Sequence, residues 1–128
     1  MSIGYLLSIG AGGALGAISR YSVSATSAQV WGAQFPYGTL IVNVLGSFVM
    51  GVLVALFAHY WSPPAEIKAF LIVGFLGAFT TFSAFSLDSI TLLERGDYFN
   101  AALYISASVL LSIAALFTGL FIIRQIVL

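Results

Sequence analysis

Few side chains in this 128-residue chain can take part in chemistry: it has no cysteine, a single histidine (His59), four Lys or Arg and four Asp or Glu. Without thiols there is no disulfide framework, thiolate nucleophile or cysteine metal site, and one imidazole excludes a multi-histidine centre within a chain. What remains is a set of amides, hydroxyls and phenyl rings at regular spacing. Asn43 closes the run Gly38-Thr39-Leu40-Ile41-Val42-Asn43, and Gly46 and Ser47 continue one face at helical spacing. An asparagine there can link membrane helices, or it can offer two amide donors to a dehydrated anion. Tyr104, Ser108 and Ser112 recur at i, i+4 and i+8, so they share a helix face and form a hydroxyl track. Serines in apolar helices often bond back to their own backbone, and the track is equally compatible with a pore and with packing.

The densest signal is the segment Gly74-Phe75-Leu76-Gly77-Ala78-Phe79-Thr80-Thr81-Phe82-Ser83-Ala84-Phe85-Ser86. Glycines and β-branched threonines lower helix propensity there and predict a break. Inside a membrane such a break is tolerated only where it is buried in protein or lines a cavity, and its freed carbonyls can hold a cation. Phe82 and Phe85 follow at once. Their positive ring edges could contact an anion without offering it a full charge, although two phenylalanines alone are ordinary lipid or core contacts.

The elements that must position these residues follow from composition. With 61% hydrophobic and 6% charged residues, no soluble core of this size could hide the apolar side chains, and lipid must be the solvent. Four apolar stretches, at about 3–20, 37–59, 69–93 and 98–123, each reach the length needed to cross the hydrocarbon. Only Asp88 interrupts them with an acid. The expected fold is therefore an all-α membrane protein, one domain of four transmembrane helices, the third broken at mid-membrane. The connections are a Ser/Thr/Gln-rich stretch through Phe35-Pro36, then Ser62-Pro63-Pro64, then Glu94-Arg95-Gly96-Asp97. Trp31, Phe35, Tyr37, Tyr60 and Trp61 flank the boundaries as aromatic belts do. In the first span Gly10, Gly12, Gly13 and Gly16 join Ala14 and Ala17 in a small-residue surface suited to close helix approach. Arg20, placed near the far interface, either snorkels to headgroups or faces an aqueous vestibule that attracts anions.

Four spans put Lys68 and Arg124 on one side and Arg20 and Arg95 on the other. Balanced charges set no orientation, so the chain is expected to insert both ways and to pair with an inverted copy about an axis in the membrane plane. The formal net charge is zero, with no basic stripe for nucleic acid. The amino terminus lacks the positive region of a secretory signal.

At these residues the chain resembles the Fluc (CrcB) family of fluoride channels over essentially its whole length. Four motifs carry the likeness: Gly13-Ala14-Leu15-Gly16-Ala17-Ile18-Ser19-Arg20-Tyr21, Gly38 through Asn43 with Gly46, Gly74 through Ser86, and the serine track. The resemblance implies an antiparallel, dual-topology homodimer with two fluoride pores in a bacterial plasma (inner) membrane. It implies that Phe82 and Phe85 line the pore, that Asn43 is a polar ligand, and that Ser108 and Ser112 form the track with Tyr104 and Thr39 as associated polar positions. Arg20 would sit at the vestibule. It also implies a central structural sodium (Na+) held by the backbone carbonyls of Gly77 and Thr80 from each subunit. Ala84 stands where the family usually has threonine, and Asp88 where it commonly has glutamate, so Asp88 receives no pore role.

A small multidrug-resistance exporter, the competing reading, needs a membrane carboxylate that exchanges a proton for drug. The first span has none. An enzyme is disfavoured too, because no nucleophile, base or metal-ligand set converges. The expected activity is passive, fluoride-selective conduction that lets the membrane potential expel the anion and so confers fluoride resistance.

Overall fold

The computed structural model describes residues 1–127, and these form helices joined by short connections. Helix α1 (Ile3–Trp31) starts at Ser2, whose Oγ accepts from the Tyr5 N–H at 3.1 Å. It does not stop near residue 20 but runs through the Ser/Thr-rich stretch that sequence reasoning assigned to a connection. Ser22 shows how: its hydroxyl donates to the Ile18 carbonyl at 2.8 Å and so satisfies itself without leaving the helix. Gly38 then packs directly on this stretch, since a Cβ there would come within 2.6 Å of Ser24 Cα. The helix ends at Gly32, whose φ of 82° suits glycine and whose N–H closes on the Ala28 carbonyl at 2.8 Å. Arg20 is therefore inside α1 rather than at its end.

Helix α2 (Tyr37–His59) follows Pro36. The third column, α3 (residues 65–79), begins as an α-turn at Ala65–Lys68, widens to a π-helical stretch over Ala69–Leu76, and tightens again over Gly77–Phe79. It starts earlier than the expected residue 69, immediately after Pro64. The expected interruption is present: Thr80 (ψ 157°) and Thr81 (φ −154°, ψ 119°) are extended, and α4 (Phe82–Glu94) continues the column beyond them. Thr81 caps α4, its Oγ1 accepting from the Ala84 N–H at 3.0 Å. Thr81→Ala is expected to lower stability by about 1 kcal/mol, read as a lower thermal midpoint in detergent, with Thr81→Ser close to wild type. At the far end the N–H groups of Gly96 and Asp97 bond the carbonyls of Leu93 and Leu92, both at 3.0 Å, a Schellman stop with Gly96 at φ 77°. Arg95 there reaches across to Gln34, bonding its side-chain oxygen at 3.3 Å and also its carbonyl. Helix α5 (Tyr98–Val127) follows.

Two glycine seams hold the columns together. A Cβ on Gly12 or Gly16 would fall 2.2 Å from the carbonyl oxygen of Phe70 or Phe75, and one on Gly74 would fall 2.5 Å from that of Ile9, so α1 and α3 touch backbone to backbone. Gly51 and Gly119 do the same for α2 and α5, at 2.2 Å from Leu116 O and 2.4 Å from Phe48 O. By length and composition α2, the column from residue 65 to 94, and α5 are each apolar enough to cross a membrane. Helix α1 has 29 residues, ample length, but more glycine and serine.

Candidate functional site

The break is held open by one amide. Asn43 on α2 donates from Nδ2 to the Thr81 carbonyl at 3.0 Å and accepts from the Thr81 N–H at 2.7 Å, pairing with an extended residue much as a neighbouring strand would. Only one orientation of the amide satisfies both bonds, and a second Nδ2 hydrogen remains free of them. Gly46, one turn further on, leaves room for the Thr80 methyl, which lies 2.3 Å from where a Cβ would be.

Beside the break is a cavity of about 290 Å³ lined by Asn43, Ser47, Thr80, Thr81, Phe82, Phe85, Ser108, Val109, Ser112 and Ile113. It gathers five of the expected pore residues from three helices. Phe82 and Phe85 sit with ring centroids 5.4 Å apart and planes inclined at 54°. Phe82 is 77% exposed, whereas Phe85 is 9% exposed. Opposite them, Ser108 and Ser112 present hydroxyls that are buried yet have no hydrogen-bond partner. Seven other hydroxyls, those of Ser8, Ser22, Thr80, Ser86, Ser89, Thr91 and Thr118, bond back to the carbonyl four residues earlier. The two serines of the track, unlike these seven, keep their donors available.

Thr39 and Tyr104 are placed differently. Tyr104 is fully buried, with its ring 5.4 Å from Phe85 and its hydroxyl donating to Asp88 Oδ2 at 3.0 Å. Thr39 and Asp88 line a second cavity, of about 200 Å³, together with Ser24, Ser27 and Pro36. Asp88, left without a role by sequence reasoning, is thus tied to the track through Tyr104. The available signal was the acid itself, since a carboxylate in an apolar span needs a partner. Ser47 and Thr81 also line the cavity, though neither is among the expected pore residues; Ser47 shares the Asn43 face, and Thr81 meets Asn43 through its backbone.

Arg20 reaches the break from α1, its Nε donating to the Ala78 carbonyl at 3.0 Å. Gly77 and Thr80, the expected carbonyl ligands, lie at the break. The Thr81 N–H, which would have closed on Gly77, goes to Asn43 Oδ1, and the Ala84 N–H, which would have closed on Thr80, goes to Thr81 Oγ1. Both carbonyls thereby lose their helical donors, and Gly77 is exposed on the outer face of the chain. Among the described residues no three His, Cys, Asp or Glu side chains come together, so hard backbone oxygens are the donor set a cation would find here. The carbonyl end of α3 and the N–H end of α4 meet at this point. The first offers partial negative charge, and the second, at Thr81 and Phe82, brings partial positive charge to the 290 Å³ cavity. Amide, hydroxyl and helix-end donors beside phenyl rings can hold a small dehydrated anion without a full positive charge.

The family model described as CrcB-like protein, Camphor Resistance (CrcB), matches residues 7–120. The chain is 52% identical over 122 residues to the fluoride-specific ion channel FluC of Rhodospirillum centenum, covering 95% of this chain and 97% of the relative. To the protein of the same name from Nitrobacter winogradskyi it is 47% identical over 122 residues, with 95% and 97% covered. To that from Rhizobium meliloti it is 50% identical over 123 residues, with 96% and 98% covered.

Proposed function

The chain belongs to the CrcB family, and on that premise we propose that it is a fluoride-selective channel whose path runs through the cavity beside the broken helix. It is not an enzyme. A fluoride ion sheds water and exchanges it for the free Asn43 hydrogen, the Ser108 and Ser112 hydroxyls and the edges of Phe82 and Phe85, and sites of this strength let it leave again. The single observation that carries this reading is the pair of buried serine hydroxyls with no partner in the chain. Donors left unmade in an apolar setting cost free energy unless something completes them.

The partner arrangement extends the reading. Two inverted copies in a bacterial plasma (inner) membrane would form an antiparallel homodimer, in which the exposed Phe82 ring meets the path of the other copy. With Arg20 in the middle of α1 and bonded at the break, the charges near helix ends are Lys68 and Arg124 against Arg95, a difference small enough to permit both insertions. Gly77 and Thr80 of each copy would hold a sodium ion on the two-fold axis, where the ion would draw together two negative helix ends. Passive conduction lets the membrane potential drive fluoride out and so confers fluoride resistance.

Fluoride efflux from liposomes, with chloride as comparison, tests this. Wild-type protein is expected to release fluoride rapidly and chloride little. Ser108→Ala/Ser112→Ala is expected to slow fluoride by about tenfold or more, the value of a lost hydrogen bond to an ion, while its thermal midpoint does not fall, because no intrachain bond is removed and two unpartnered hydroxyls are. Wild-type fluoride flux in the double variant, or none in the folded wild-type protein, would overturn the assignment.

A further inference from the structure

Arg20 does something that its position in the sequence does not announce. Its guanidinium bonds to a backbone carbonyl, that of Ala78, 58 positions away and within the last turn of α3. A helix end carries partial negative charge on its unpaired carbonyls, and a cation there is favoured. Helix α1 delivers this cation accurately, because the Gly12, Gly16 and Gly74 seam locks α1 onto α3.

The carbonyls of the break are divided among partners. That of Leu76 accepts from the Thr80 N–H at 3.0 Å and the Thr80 hydroxyl at 2.8 Å, that of Ala78 from Arg20, and that of Thr81 from Asn43. Gly77 and Thr80 lie between these anchored positions. Gly77 lacks a side chain to restrain it, since a Cβ there would meet only Ile72 O at 3.7 Å, so its carbonyl direction depends on its neighbours being held. We propose that Arg20 is a positioning residue for the cation site: by clamping the Ala78 carbonyl it fixes the direction of the Gly77 and Thr80 carbonyls. This rests on the sodium reading of those two carbonyls. Lysine is a poor substitute, because it replaces a planar fork with a mobile ammonium on a flexible stem.

The test is thermal unfolding of the purified full-length protein, titrated with sodium at constant ionic strength against N-methylglucamine and potassium. A ligand that binds the folded state raises the midpoint by mass action, so the titration gives a half-saturating concentration independent of flux. Sodium is expected to stabilise wild type selectively. Arg20→Met is expected to raise the half-saturating concentration about tenfold, with Arg20→Lys between the two; should the methionine variant not fold, the lysine variant carries the comparison. An unchanged value overturns the positioning role alone. A lower value overturns it as well, because it would mean that Arg20 acts only by repelling sodium. If wild type does not distinguish sodium from potassium, the sodium reading fails and this inference fails with it.

Discussion

Gly51→Leu is expected to be among the most damaging substitutions in the chain, and its damage should appear in both stability and flux. The α2 and α5 backbones meet at Gly51 and Gly119, where a Cβ on either glycine would overlap the other helix's carbonyl oxygen. Glycine in mid-helix costs about 1 kcal/mol relative to alanine, so its presence in both helices implies that close approach returns more than this. A leucine at Gly51 cannot be absorbed by a rotamer change, because the obstacle is backbone. The helices must separate, at about 3 kcal/mol by the usual cost of overpacking. Separation also withdraws Ser108 and Ser112, which lie on α5, from Asn43 on α2. The measurements are thermal midpoint and monodispersity in detergent, then fluoride efflux. A stable, conducting Gly51→Leu protein would show that this seam does not set the width of the cavity.

Asn43 should separate structure from conduction. Asn43→Leu removes the acceptor for the Thr81 N–H and the donor to the Thr81 carbonyl together, and leaves two backbone groups unpaired at about 1–3 kcal/mol each. The break should loosen, with a lower thermal midpoint and loss of flux. Asn43→Asp keeps an acceptor for the N–H but sets a carboxylate against both the Thr81 carbonyl and any passing anion. Its midpoint is expected to fall less than that of the leucine variant while fluoride efflux is lost entirely. If Asn43→Leu unfolds at the wild-type temperature, the amide does not hold the break, whatever it does for the ion.

Much of this was legible in the chain before it was folded. A break within Gly74–Ser86 is expected from glycine and β-branched residues, and it occurs in that segment, at Thr80-Thr81, because these local preferences act within a few residues. The common face of Tyr104, Ser108 and Ser112 follows from helical periodicity alone. The end of α1 was misplaced because Arg20 and the hydroxyl-rich stretch after it look like a boundary on a hydropathy scale, yet Ser22 satisfies itself within the helix and Gly38 packs on Ser24.

What the sequence alone determined is the solvent, the helical class, the segment that carries the break and the supply of weak donors, since composition and periodicity are properties of neighbouring residues. Only the tertiary structure decided which donors are engaged. Asn43 meets Thr81, Arg20 meets Ala78 and Tyr104 meets Asp88, while Ser108 and Ser112 meet nothing. A hydrogen bond goes to whichever partner the packing of distant segments brings within about 3 Å, and that competition is decided by helices whose sequence separation says nothing about their contact.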